Sequence, residues 1–403
     1  MTGAGTGAGT GAGISWAHAR QAASQVCGPV PARRVGLDGA AGAVLAADAR
    51  ALTDLPAADT SAMDGWAVAG PPPWRLVGEV LAGTLPAALR PGEAVTIATG
   101  AVVPPGAAGV LRRERGRLDG GSVLPSAGGT DGGTDGSPDG DQLGRDVRPA
   151  GGECRGGDVV LAAGTPMSPA AVGLLAAAGH DAVEVRRAGA DVLVLGDELL
   201  GSGPARDGRL RDALGPLLSA WLPALGLAVT SRRHVADSAE ALALALRSCT
   251  GDLVVTTGST ARGPVDHLHG VLAAAGARLA VDGVAVRPGH PMLLAVLADG
   301  RPLVGLPGNP LAAVSGLLTL LAPVVRALHG LPPERPRTVR LAEAVDAGAE
   351  ATRLVPLRAG RPALFAGPGM LRGLASADVV GVVPPGGAAV GQDVEALPLP
   401  GTR

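Results

Sequence analysis

The 403-residue chain predicts a multidomain α/β plus β protein, with a central parallel-sheet α/β domain, an inserted β domain and a small C-terminal β domain. Three patterns carry that expectation. From Asp191 to about residue 330, apolar runs such as Asp191-Val192-Leu193-Val194-Leu195 alternate with helical stretches, as right-handed βαβ units covered on both faces of a sheet require. Between Ala51 and Arg117 the strands are short and broken by Pro and Gly: Trp66-Ala67-Val68, Trp74-Arg75-Leu76-Val77, Ala94-Val95-Thr96-Ile97 and Val110-Leu111. From Pro336 to Arg403 strand-like runs and prolines return.

Taken in order, residues 1–13 form a Gly/Ala/Thr leader expected to be disordered, without the basic residues of a signal peptide. Residues 14–50 and 147–187 make an elongated linking domain, with helical patches at Ser15–Arg20 and near Val44-Leu45-Ala46 and a helix capped by Ser168 with Pro169 in its first turn. Residues 51–146 are the inserted β domain, and its polar glycine repeat, residues 119–141, reads as a flexible loop. Residues 188–330 are the α/β domain: Leu210 to Leu225 helical, Ala228-Val229-Thr230 a strand, Ser238 to Arg247 a helix, Asp252 to Val255 a strand and Val265 to Ala275 a helix. Residues 331–403 are the C-terminal β domain.

Composition excludes several function classes. A net charge of -2 leaves no basic field for nucleic acid. Its 34 Lys+Arg contain no lysine, and with 64 Gly, 35 Pro, no Tyr and one Phe this reflects a GC-rich coding bias. Cys27, Cys154 and Cys249 are odd in number, far apart and without a CxxC pair, so neither a disulfide framework nor a zinc site is expected, and a reducing cytoplasm is. Residues 302–325 are uncharged for long enough to meet a membrane-span criterion, but the Pro307–Pro310 loop and Pro323 divide them into a strand and a short buried helix, so no membrane is expected.

The segment Leu303-Val304-Gly305-Leu306-Pro307-Gly308-Asn309-Pro310 singles out a site. An apolar strand enters a stiff loop, Asn309 is a good N-cap and Pro310 suits the first helical turn, so bare N–H groups and the positive end of a helix would face an anion. Open α/β sheets bind ligands beyond the C-terminal ends of their strands. There the chain places Gly196-Asp197-Glu198-Leu199, Thr256-Thr257-Gly258-Ser259-Thr260, and Asp237 and Asp266 at helix starts. Each aspartate is either a helix cap or a site carboxylate. Together with a phosphate-binding loop, the carboxylates point to a phosphate ester or anhydride handled with Mg²⁺. His267 and His269, two apart on a helix, point to different sides and make no metal clamp.

The motifs Asp59-Thr60-Ser61-Ala62-Met63-Asp64-Gly65, Ile97-Ala98-Thr99-Gly100-Ala101, Val147-Arg148-Pro149 through Gly157-Asp158, Gly196-Asp197-Glu198-Leu199, Arg287-Pro288-Gly289-His290-Pro291 and Gly305 to Pro310 stand in an order that resembles the molybdopterin molybdenumtransferases. The resemblance runs from about Ser15 to the C-terminus. It implies that the central domain binds molybdopterin and that the protein is a cytoplasmic homodimer. Its active site would form between the inserted domain of one subunit and the α/β domain of the other. The implied reaction takes adenylylated molybdopterin from an upstream molybdopterin adenylyltransferase, inserts molybdenum from molybdate and releases AMP, with Mg²⁺. Carried over residue by residue, Asp64, Thr99, Glu198, Asp237 and Asp266 become catalytic, the last three also metal-holding. Gly258, Ser259, Arg287, His290, Pro307, Gly308, Asn309 and Pro310 become substrate-binding.

The chain departs from the family pattern at chemically relevant places. Gly258-Ser259-Thr260-Ala261 replaces Gly-Gly-Val-Ser, and Pro264 stands at a glutamate position. His290 replaces a lysine, Asp212-Ala213-Leu214 replaces Asp-Ser-Asn, Leu195 replaces a threonine and Glu153 an aspartate. These changes define the alternatives: a non-catalytic paralogue that binds molybdopterin or a protein partner, and, against the extra β domains, an adenylylating enzyme.

Overall fold

The computed structural model describes residues 13–126, 146–261 and 266–401. Its centre is a six-stranded sheet built from β1 (Gly189–Leu195), β2 (Ala228–Val235), β3 (Leu253–Thr257), β4 (Arg278–Asp282), β5 (Leu293–Val296) and β6 (Pro302–Leu306). The order is β2-β1-β3-β6-β5-β4. The first four strands run parallel, while β5 is antiparallel to both β6 and β4, so the expected parallel sheet is extended by an antiparallel edge. The linker from β5 to β6 is too short for a crossover helix, so the chain folds back as a hairpin.

Alternation of side chains along β1 divides the core in two. Val192 and Val194 join one apolar cluster with Leu214, Leu218 and Leu222 of α1 (Leu214–Ala224). Leu193 and Leu195 join the other, with Leu242 and Leu246 of α2 (Ala239–Arg247) and Leu268 and Leu272 of α3 (Leu268–Ala274). This two-sided burial is why the strand reads as a continuous apolar run rather than an alternating one. Residues 210 and 211, expected as helix, instead pair with Leu199 and Leu200, and α1 starts only at Leu214.

After β6, α4 (Pro310–Gly316) continues through a π turn, Leu317–Leu321, into a further helical stretch, Ala322–Leu328. This 19-residue helix is apolar enough to pass as a membrane span by length and composition, yet 83% of its apolar 18-residue window is buried within the protein. Pro323 does not break it, contrary to the sequence expectation. The π register sends the Ala322 N–H to the Leu317 carbonyl, and the next carbonyl in that register, Leu318, faces a proline that has no N–H. The Arg20 guanidinium donates to the Leu318 carbonyl instead.

Arg20 comes from the helix Trp16–Gln25, whose start is capped by Ser15. Trp16 on the same helix is buried, and its indole N–H donates to the Thr319 hydroxyl at 3.1 Å. The N-terminal helix therefore locks onto the π turn. Beside it, Arg33–Gly36, Ala182–Arg186 and Val44–Leu45 form a three-stranded sheet, so the expected helix at Val44 is a strand, paired through Val44 with Arg186. The helix Pro169–Ala177 starts at Ser168 as expected.

Residues 65–68, 74–80, 93–97, 109–112, 116–119 and 122–125 form a second six-stranded sheet. Gly116–Asp119 and Ser122–Pro125 pair as a hairpin, so residues 119–125 of the expected loop are strand and tight turn, while residues 127–141 lie outside the described residues, as does the leader up to residue 12. A further sheet, in the order 286–287, 352–358, 379–383, 393–398 and 337–340, takes its edge strand Val286–Arg287 from the β4–β5 connection.

Thr319→Val keeps the shape of the π turn and leaves the buried Trp16 N–H without an acceptor. Urea unfolding followed by tryptophan fluorescence is expected to lose about 1–3 kcal/mol of apparent stability; an unchanged midpoint would contradict the lock.

Candidate functional site

The C-terminal ends of β1, β3 and β6 open onto a cleft of ≈ 960 Å³. Its lining includes Glu198, Asp237, Gly258, Ser259, Asp266 and the loop Pro307–Pro310, so the residues singled out at the three strand ends come together. Two short backbone approaches make this possible. Gly258, at φ +85, donates its N–H to the Leu306 carbonyl at 2.9 Å, and a Cβ at Gly308 would lie 3.6 Å from the Gly258 Cα. A side chain at residue 258 would meet the Leu195 carbonyl at 3.2 Å in a left-handed conformation that suits glycine.

The acidic wall is held by its own backbone. Asp237 accepts from the Asp197 N–H at 3.1 Å, and Asp197 accepts from the Asp237 N–H at 3.3 Å, so the loops after β1 and β2 clasp each other. Asp237 is therefore not the cap of α2; Ser238 is, through its hydroxyl and the Ala241 N–H. Glu198 is exposed, with its carboxylate over Gly196, where a Cβ would come within 2.7 Å of Oε2. Asp266 lies just ahead of α3, whose N-cap position is His267. Ser259, in the left-handed region at φ 55, accepts the His267 N–H at 2.9 Å and so spans the loop. Pro264 lies outside the described residues.

The helix start at Pro310 differs from its expected form. Asn309 occupies the N-cap position but makes no side-chain capping bond. The Pro368 carbonyl accepts from the N–H of Leu311 at 2.8 Å and of Ala312 at 3.3 Å. Two donors read from the sequence as bare are thus already paired by a loop of the C-terminal sheet, which also sends Gly369 and Leu371 to the cleft wall. No local pattern near Asn309 announces that partner. Asp212 was read only as a remnant of a family motif; it is buried, lines the cleft and caps α1 by accepting from the Gly215 N–H at 2.8 Å.

Arg287 and His290 are not among the lining residues. Arg287 is exposed on the edge strand that pairs with Thr352 and Arg353. The His290 Nδ1 lies 2.8 Å from the Val284 carbonyl, which can only accept, so this nitrogen carries a proton and fixes the turn. Pro291 is the part of that motif that reaches the cleft. Among the described residues no three His, Cys, Asp or Glu side chains converge as a metal cage.

Asp64 and Thr99 meet elsewhere, on the insertion sheet, and neither lines the cleft. One carboxylate oxygen of Asp64 accepts both the Thr99 N–H at 2.7 Å and the Thr99 hydroxyl at 2.9 Å. The backbone bond first and the hydroxyl second hold the Asp64 carboxyl below its ordinary range.

An open-sheet α/β unit with its cleft at the strand ends, accompanied by a β-sheet insertion and a C-terminal sheet, defines the class of protein. The MoeA N-terminal region (domain I and II) matches residues 14–179, and a probable molybdopterin binding domain matches residues 191–327. The chain is 30% identical over 314 residues to the molybdopterin molybdenumtransferase of Nostoc sp., covering 74% of this chain and 69% of that one. It is 31% identical over 333 residues to molybdopterin molybdenumtransferase 2 of Mycobacterium tuberculosis, covering 77% and 78%. A molybdopterin biosynthesis MoeA protein from Pyrococcus horikoshii shares the fold, with a TM-score of 0.71 at 20% identity over 95% of this chain and 99% of that one. The chain belongs to the molybdopterin molybdenumtransferase family.

Because Asp64 has a depressed folded-state pKa, its contribution to stability is present above the ordinary carboxylate pKa and is lost as pH falls through the folded value. Thr99→Val removes the hydroxyl and keeps the N–H. Followed by carbon NMR, the Asp64 titration is expected to move to higher pH; an unmoved midpoint would remove the Thr99 hydroxyl as a cause.

Proposed function

We propose that this chain is an active cytoplasmic enzyme that inserts molybdenum from molybdate into adenylylated molybdopterin and releases AMP. The observation that carries the reading is the single cleft that gathers the Pro307–Pro310 loop, the Gly258 turn and the carboxylates Glu198, Asp237 and Asp266. In this reading the proline-glycine loop holds the pterin phosphate side, and the carboxylates face the anhydride.

Mg²⁺ fits that donor set. It is held by one or two carboxylates, waters and substrate phosphates rather than by an all-protein cage, and Glu198, Asp237 and Asp266, which form no closed cluster among the described residues, meet that requirement. When bound, it would neutralise charge on the anhydride oxygens. Glu198 and Asp237 would hold it, with Asp266 on the same rim.

Arg287 is assigned to molybdate: its guanidinium is exposed on the motif strand and binds oxyanions bidentately. His290 positions the turn rather than meeting the anion. Asp64 and Thr99 complete the site from the partner subunit of a homodimer, since within one chain they stand apart from the cleft. The substrate would come from an upstream molybdopterin adenylyltransferase.

The second reading is a paralogue that binds molybdopterin without inserting metal. It is favoured by the Pro368 carbonyl on the Leu311 and Ala312 N–H groups, which withdraws two donors from the phosphate.

With adenylylated molybdopterin, Mg²⁺ and molybdate, purified protein is expected to release AMP. Asp237→Asn is expected to lower the rate about 100-fold, the equivalent of the few kcal/mol that a bridging cation contributes. Substrate binding without AMP release, together with a large gain in release in the His290→Lys, Ala261→Ser double variant, selects the paralogue.

A further inference from the structure

A groove of ≈ 490 Å³ lies on the C-terminal sheet, and it shares no lining residue with the cleft. Three pieces of chain build it: the end of strand Thr352–Arg358 with its partner Arg361–Pro362, the loop from Ala363 to Phe365, and the helix Arg372–Ala375 with Ser376 at its end. Its lining contains Arg358, Arg361 and Arg372 and, among the described residues, no carboxylate.

The arginines are only partly matched by acids. Arg358 and Arg361 stand directly opposite each other in the antiparallel pair, where like charges are unfavourable. Arg361 has a counter-charge, Glu343, at 2.6 Å. Arg358 and Arg372 form no ion pair with a described carboxylate. Asp378, beyond the helix, is engaged with the backbone, where it accepts the Ala359 N–H at 2.8 Å. Two guanidiniums are therefore left over.

Beside them the loop exposes large apolar side chains. Leu364 is 79% exposed, Phe365 50% and Met370, farther along the same loop, 47%. Phe365 sits in the left-handed region at φ 57, uncommon for so bulky a residue, and its carbonyl accepts the Gly373 N–H at 3.3 Å. A Cβ at residue 373 would collide with the Leu364 carbonyl, so glycine there lets the loop lie directly on the helix. The Arg372 guanidinium stacks 4.5 Å from the centroid of the Phe365 ring. Stacking orients its plane and leaves its edge N–H groups for a carboxylate.

We infer that this groove is a docking surface for a protein partner that presents an acidic segment carrying a large apolar side chain. Its carboxylates pair with Arg358 and Arg372, and its apolar side chain packs on Leu364 and Phe365. Charge complementarity selects the acid, because the groove holds unpaired arginines and no carboxylate among the described residues. Arginine beside an aromatic ring is the composition of protein-interface centres. The exposed apolar run continues to Met370, outside the groove, a wider footprint than a free small anion covers. The inference does not depend on the proposed transferase activity, because it uses none of the cleft residues.

The test is titration of the full chain with the peptide Gly-Asp-Glu-Trp-Asp-Glu-Gly, by calorimetry at low salt and by amide NMR shifts. Two control peptides carry Asn and Gln at the acidic positions, or Ala in place of Trp; inorganic phosphate is the third control. The acidic tryptophan peptide is expected to bind one per chain and to shift the Gly373 and Ser376 amides. Each control is expected to bind at least about tenfold more weakly, as loss of charge-assisted hydrogen bonds or of apolar burial requires. Arg372→Gln and Phe365→Asn are each expected to weaken the peptide about tenfold with the thermal midpoint retained, asparagine being suited to the left-handed position. Should Phe365→Asn rearrange the loop, Arg358→Gln and the shifts in the parent protein still decide. No saturable binding of the acidic tryptophan peptide at millimolar concentration, equal binding of any control, or shifts away from Gly373 and Ser376 would overturn the inference.

Discussion

The helix that starts at Pro310 ties the molecule together because one apolar cylinder meets both the ligand cleft and the N-terminal segment. Its first turn closes the Pro307–Pro310 loop at the end of β6, and its middle is gripped by Trp16 and Arg20. Its π turn is the joint between these tasks. In the π register Pro323 offers no N–H to the Leu318 carbonyl, and the guanidinium of a sequence-distant helix supplies the missing donor. Removing that grip would disturb the core on the α1 face of the sheet and, through the same helix, the register of the loop at the cleft.

The cleft is organised by backbone more than by side chains. Reciprocal bonds between Asp197 and Asp237, the Gly258 N–H to Leu306 and the Pro368 carbonyl on the helix start fix the loops around one space. The carboxylates Glu198, Asp237 and Asp266 remain at its edge. Such a frame places acidic groups next to the Pro307–Pro310 loop with no metal cage among the described residues, which suits a cation that arrives with its phosphate ligand.

Much of this was legible in the sequence where local chemistry decides the outcome. Asp191–Leu195 reads as a doubly buried strand because it is one, and Ser168 reads as a cap because its hydroxyl accepts a helix N–H. The three strand-end motifs were expected to meet, and they line one cleft. What was not legible depends on long-range partners. Pro323 looks like a helix stop until Arg20 is known to satisfy Leu318, and Leu311 and Ala312 look like free donors until Pro368 is placed beside them. Leu210 and Val44 carry helix-compatible neighbours, but pairing with Leu199 and Arg186 makes them strands. His290 looks like a weakened lysine; in the structure its ring is already committed to Val284.

The separation of Asp64 and Thr99 from the cleft makes the two-subunit site the central claim. Its most direct test mixes two inactive proteins, Asp64→Asn and Asp237→Asn, under conditions that exchange subunits, and measures AMP release. Random exchange makes half of the dimers mixed, each with one intact site, so recovery to about a quarter of the parent rate is predicted. A mixture as silent as its components, with mixed dimers demonstrated, would contradict a site shared between subunits.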